Sequence, residues 1–176
     1  MKFYCTYFDF GFVRRGIALV ESLLRHGSDF RLYVLCFDDK CYDALCAYGA
    51  KGLVPIRLEE LLDSEPSLLK VRPQRSTIEF YFTTTPFFPF YLLQKYGEID
   101  FITYLDADLF FFSSPDAIID EIKDASVAIV GHRYSSQLKG YEKNGIYNVS
   151  WGSFKRDKDG MKALSWWRER GLEWCY

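Results

Sequence analysis

The chain has 176 residues, 49% hydrophobic and 26% charged, which suits one domain with a real core and excludes a disordered chain. Its net charge is −2, with no Lys/Arg stripe, so a nucleic-acid backbone is excluded as a partner. A free anionic nucleotide still fits, because a bound cation supplies positive charge locally.

Lys2 to Phe8 is aromatic and β-favouring and reads as a strand, ended by Asp9-Phe10-Gly11. Arg15 to His26 carries Ile17, Val20, Leu23 and Leu24 at helical spacing, and Gly27 stops it. Phe30 to Phe37 is a continuous apolar strand of the kind buried on both faces, with Asp38-Asp39 at its carboxyl end. A helix over Tyr42 to Tyr48 closes at Gly49, and Leu53 to Leu58 is a third strand. Glu59 to Leu62 begins a short helical turn, and Asp63 to Ser76, with Pro66 and Pro73, is a loop or broken helix. Thr84 to Tyr96 reads as one helix, with Pro86 and Pro89 near its first turn or kinking it. Asp100 to Phe112 reads as a strand. Ser114 and Pro115 open a helix over Ala117 to Ile122 as cap and first position. Ser126 to Val130 and Tyr147 to Phe154 are strand-like, separated by a polar excursion from His132 to Asn144. Gly160 to Tyr176 is a helix rich in Trp.

This alternation predicts an α/β fold, residues 1–176 forming a single domain, with a mostly parallel sheet flanked by helices on both faces. Ligands of such sheets sit at the carboxyl ends of strands. The 16 Phe and 13 Tyr serve either a packed aromatic core or stacking on bases and sugar rings. Cys5, Cys36, Cys41, Cys46 and Cys175 form no CxxC pair, and only His26 and His132 accompany them. A zinc site is therefore not expected, and reduced core thiols in a cytoplasmic protein are. No signal peptide is expected at the amino terminus, and no apolar run reaches the length of a transmembrane segment.

The strongest chemical signal is Asp106-Ala107-Asp108, between Ile102-Thr103-Tyr104-Leu105 and Leu109-Phe110-Phe111-Phe112. Two carboxylates inside an apolar stretch are costly to bury unpaired. A divalent cation, or an exit to solvent at a strand end, resolves that cost. Hard cations such as Mg²⁺ or Mn²⁺ take oxygen ligands and share them with phosphates. The spacing alone is weak evidence. Asp157-Lys158-Asp159 has the same spacing in a polar turn and receives no function.

Tyr104-Leu105-Asp106-Ala107-Asp108-Leu109-Phe110-Phe111 resembles the DxD signature of glycosyltransferases with the GT-A (Rossmann-like) nucleotide-diphospho-sugar transferase fold, and among them glycosyltransferase family 8. Tyr4 to Asp9 resembles the first strand of that fold, and Gly16 to Leu24 the helix after it. Gly145 to Phe154 resembles the segment that approaches the donor sugar. The resemblance implies transfer of a hexose from a UDP-sugar to a glycan or lipid-linked acceptor. It implies Asp106 and Asp108 as ligands of Mn²⁺ or Mg²⁺, with Ala107 between them in the donor site. It implies Thr6, Tyr7 and Asp9 around uracil and ribose, and Asn148 on the donor sugar or acceptor. Phe12 would stack on the base or pack in the core, and Arg75 would reach phosphate or sugar. No nucleophile or base is assigned.

The sequence departs from that family in two places. The segment before Asp106 reads Thr83-Thr84-Thr85-Pro86-Phe87-Phe88-Pro89 without the family's Arg, and the late His segment that supplies a third metal ligand is absent. His132 stands too early to replace it and is expected at the surface. Trp166, Trp167 and Trp174 need cover. The expectation is a C-terminally truncated chain lacking its acceptor-side lobe, the alternatives being packing of this helix on the sheet or against a second subunit. Two other functions compete. One is a non-catalytic nucleotide-sugar-binding module. The other is a dehalogenase-type phosphatase, which wants Thr or Val where Phe110 stands.

Overall fold

The computed structural model describes residues 1–174. Six strands form one sheet: β1 (Lys2–Phe8), β2 (Phe30–Cys36), β3 (Leu53–Arg57), β4 (Phe101–Leu105), β5 (Val127–Gly131) and β6 (Tyr147–Lys155). Their order is β3-β2-β1-β4-β6-β5. The first four run parallel, and β6 lies antiparallel between β4 and β5. The helices are α1 (Val13–His26), α2 (Asp39–Tyr48), α3 (Leu58–Ser64), α4 (Pro66–Val71), α5 (Thr77–Thr84), α6 (Phe87–Lys95), α7 (Asp116–Ile122) and α8 (Lys158–Glu173). This is the expected α/β architecture.

The strand period divides the core into two layers. Tyr4, Leu32, Val34 and Leu105 face one side, where α1, α2 and α7 cover them. Cys5, Tyr33, Leu35 and Tyr104 face the other, under α3 to α6 and α8. Neighbouring residues of β1 and β2 thus enter opposite cores, which is why the β2 sequence shows no polar face. Gly16 lets α1 approach β1, since a Cβ there would collide with the Phe8 ring.

The ends of the elements follow local chemistry. Asp38 caps α2 by accepting from Cys41 N at 2.8 Å, and Gly49 closes that helix in the left-handed region at φ 59°. Ser76 and Glu79 form a reciprocal capping box on α5. Asp157 caps α8 through Gly160 N at 2.9 Å and accepts from Ser126 Oγ at 2.8 Å, so the second Asp-x-Asp is a helix start.

Several boundaries differ from expectation. The helix expected over Thr84 to Tyr96 starts only at Phe87, as α6, and a separate helix, α5, precedes it where no element was expected. Pro86 offers no N–H to continue the ladder. Thr83 and Thr84 turn their hydroxyls onto the carbonyls of Glu79 and Phe80. Asp63 to Ser76, expected as a loop or broken helix, is the broken helix: the end of α3, then α4 and a 3-10 turn, Arg72–Gln74. The strand expected to run to Phe112 ends at Leu105.

Cys5, Cys36 and Cys41 are buried free thiols, whereas Cys46 is exposed, so it is not the core thiol expected; Cys175 lies outside the described residues. Leu164 of α8 is buried in the core beneath α3 to α6, and Trp167 packs 6.0 Å from Phe154. The helix therefore does pack back on the sheet, although Trp166 and Trp174 stay 62% and 66% exposed. No helix among the described residues is long and apolar enough to cross a membrane.

Candidate functional site

The chain leaves β1 to build β2 and β3 on one side, then returns to place β4 on the other. The strand order therefore reverses between β1 and β4. Successive loops part at such a point, leaving a crevice beyond the carboxyl ends of the two strands. A cleft of about 200 Å³ lies there, lined by Tyr7, Phe8, Asp9 and Phe12 from the β1 side, Tyr81 from α5, and Tyr104, Asp106, Ala107 and Asp108 from the β4 side.

Asp106 and Asp108 reach this cleft because β4 stops. Asp106 N still donates to Ser150 O at 3.0 Å, and Leu109 N then closes a turn on Asp106 O at 3.1 Å. Ala107, 7% exposed, turns into the core beneath α1 and anchors the turn. Its carboxylate neighbours are left outside that core. Tyr104 Oη donates to Asp106 Oδ1 at 2.9 Å. Burial nonetheless pushes the Asp106 carboxyl above its ordinary range; the Tyr104 bond opposes this and the Asp108 charge reinforces it. The Tyr104 phenol is itself pushed well up, first by burial and then by Tyr7 and Asp106.

At the opposite wall, Asp9 accepts from Phe12 N at 3.1 Å and from Tyr81 Oη at 2.8 Å. Burial and the Asp9 bond raise the Tyr81 pKa, so the phenol stays protonated. Phe12 carries the Arg15 guanidinium 4.6 Å from its ring centroid. Tyr7 sits between the two walls, 5.6 Å from the Tyr104 ring, and its hydroxyl lies 2.8 Å from Thr85 Oγ1.

The structure thus brings together Tyr7, Asp9, Phe12, Asp106, Ala107 and Asp108. Three other expected residues stand elsewhere. Thr6 is fully buried, because strand alternation opposite Tyr7 turns it to the α1 face, where its hydroxyl has no partner. Arg75 spends Nη2 on the carbonyls of Leu172 (2.9 Å) and Gly171 (3.4 Å) at the end of α8, not on the cleft. Asn148 accepts from Ser150 N at 2.9 Å and borders an apolar groove between β6 and α8. Tyr81 and Tyr104 were not singled out from the sequence. Their aromatic character alone did not separate them from the core. Only the break after α5 and the end of β4 place them.

Among the described residues, no cluster of three or more His, Cys, Asp and Glu side chains is arranged for a metal ion. The acidic set of the cleft is the pair Asp106 and Asp108, with Asp9 engaged by Tyr81.

The six-stranded mixed sheet and its helices are the GT-A glycosyltransferase fold. Mouse xyloside xylosyltransferase 1, in its apo form, superposes with a TM-score of 0.62 at 13% identity, over 99% of this chain and 77% of that one. The galactosyltransferase LgtC, solved with donor and acceptor sugar analogs, gives 0.61 at 17% identity, over 97% of this chain and 65% of that one. GlyE of Streptococcus pneumoniae gives 0.55 at 17% identity, over 97% and 37%. No family model matches the chain. Two Bacillus subtilis (strain 168) proteins, YfnD and YfnF, both described as uncharacterized, are each 33% identical over 158 and 183 residues. These matches span 89% and 98% of this chain but 50% and 58% of the relatives, so the chain spans about half their length.

Proposed function

We propose that the chain is the donor-binding part of a metal-assisted glycosyltransferase, similar to family 8, that moves a hexose from a UDP-sugar to a glycan or lipid-linked acceptor. The observation that carries this reading is the carboxylate pair Asp106 and Asp108 at the reversal of strand order, facing Asp9 and Phe12 across one cleft.

The donor set suits Mn²⁺ or Mg²⁺. It is all oxygen, it is negatively charged, and desolvation makes the Asp106 charge costly without a cation. Such ions are commonly held by one or two carboxylates, with phosphate and water completing the shell. When bound, the cation neutralises the departing diphosphate. The chain's own residues do the rest. Tyr104 fixes one Asp106 oxygen at the wall of the cleft. Phe12 offers an aromatic edge to the base, and Asp9 an acceptor to its N–H or to ribose. In a polypeptide of the relatives' length, further residues would supply the acceptor side and a third ligand. The two-carboxylate set also suits a module that binds donor without turnover, and slow hydrolysis of UDP-hexose separates the readings.

Calorimetric titration of UDP, with and without Mn²⁺, tests the proposal. Binding that needs the metal, and that Asp106→Ala/Asp108→Ala abolishes, is expected. Binding of equal strength in that double variant would sink it.

A further inference from the structure

The Asp9 carboxylate is pinned at both oxygens. Oδ1 accepts from Phe12 N at 3.1 Å, inside the turn that follows β1, and Oδ2 accepts from Tyr81 Oη at 2.8 Å, from α5. The first bond is local and belongs to the turn. That turn is fastened a second time, because Phe10 N donates to Asp38 Oδ2 at 2.9 Å and Asp38 also caps α2. The second bond is of another kind. It joins side chains 72 residues apart, and no backbone group depends on it. What it fixes is the orientation of a carboxylate at the wall of the cleft.

Tyr81 is well placed to do this. Its ring lies 4.0 Å from that of Phe37 and 6.1 Å from that of Tyr7, and its helix starts on the Ser76–Glu79 capping box. Burial, and then the bond to Asp9, raises its pKa, so the phenol keeps its proton. A phenol has one hydrogen to give, and this one goes to Asp9. A carboxylate only accepts. At Asp9 and Tyr81 the cleft therefore offers a ligand nothing but lone pairs, and offers them in one fixed direction.

Direction decides what such a wall can tell apart. Uracil carries a ring N–H between two carbonyls. Cytosine has a ring lone pair at that position, and its nearest hydrogens sit on the exocyclic amine, further along the same edge. A carboxylate free to turn can follow that shift and serve either base. A carboxylate held at both oxygens cannot, and against cytosine its charge meets a lone pair. A site built around one hydrogen-bond pattern rejects the analogue that lacks it, because a polar group is then left unpaired.

We propose that Tyr81 is a positioning residue for nucleobase selection: by pinning Asp9 it sets the cleft to take a base with a ring N–H and to refuse cytosine. This rests on the donor-site reading above and adds to it a residue, on a different element, that acts through Asp9 alone.

The test is calorimetric titration of UDP and of CDP, each with Mn²⁺, into the wild type, Tyr81→Phe, Asp9→Asn and the double variant. Tyr81→Phe removes one oxygen and keeps the ring, so the melting temperature, read alongside, should hardly move. The wild type is expected to prefer UDP by about tenfold or more, the worth of a hydrogen bond to a charged group. Tyr81→Phe should bring the ratio of UDP to CDP affinity close to one. In the Asp9→Asn background the same substitution should change that ratio no further. A tyrosine with a merely structural role would weaken both nucleotides alike and leave the ratio where it was. That outcome overturns the proposal, and so does a wild type that binds UDP and CDP equally. In both cases metal-dependent UDP binding persists, and the donor-site reading survives without Tyr81. If neither nucleotide binds the wild type, both readings fall together.

Discussion

Asp106 is held where its charge is unfavourable. Its folded-state pKa lies above the ordinary value because burial outweighs the Tyr104 bond. The folded protein therefore binds that proton more tightly than the unfolded chain. Asp106 contributes stability at low pH, and this is lost as the pH rises through the folded pKa. Two outcomes follow. Asp106→Asn should raise the melting temperature of the ligand-free protein at pH 7, read by calorimetry, while abolishing metal-dependent UDP binding. As the pH falls, Mn²⁺-dependent UDP binding by the wild type should begin to weaken before the usual carboxylate range of about 4 is reached, as a proton displaces the cation. Thr6 carries a different cost, a buried hydroxyl without a partner. Thr6→Val keeps the shape and should stabilise the fold by about 1 kcal/mol in a denaturant titration. The carboxylate pair was legible because charge in an apolar run is rare. The burial of Thr6 was not, because one polar residue in a strand reads alike on either face.

At the scale of elements, α8 is clamped from two directions. Arg75 holds its last carbonyls, and Arg168 forms an ion pair with Glu65 at the α3–α4 junction. The guanidinium of Arg168 also lies over the rings of Phe87 and Phe90, and both charged side chains are largely buried, at 17% and 10% exposure. Removing one partner leaves a buried charge, so Arg168→Ala should cost about 3 kcal/mol or more in chemical unfolding. Glu65→Leu/Arg168→Met should recover most of that loss. Ser76→Ala removes the α5 cap and should cost about 1 kcal/mol in the same measurement. The capped helices α1 and α2 were legible because periodicity and a closing glycine agree. Helix α5 was missed because Thr, Ile, Phe and Tyr dominate it, residues of modest helix propensity. The strand after Asp100 was drawn too long because apolar residues run through the turn that frees Asp106 and Asp108.

For the whole molecule, strand and helix alternation was enough to predict the layered fold, and it pointed to the carboxyl ends of the strands, where the cleft lies. The mostly parallel sheet was expected, but the reversal at β6 was not readable. Periodicity is the same in parallel and antiparallel strands, so β6 between β4 and β5 emerges only from the assembled sheet. The strand order has a consequence for how the molecule comes into being. β1 is made before the other five strands of the sheet, and it pairs with β2 soon afterwards. Its other edge waits for β4, which follows about a hundred residues later, with Tyr4 meeting Thr103. At a synthesis rate of roughly 5–20 residues per second, that edge stays open on the ribosome for about 5–20 seconds. Throughout that interval the nascent chain carries an aromatic strand with unpaired amides, a template for misassembly that a chaperone must shield.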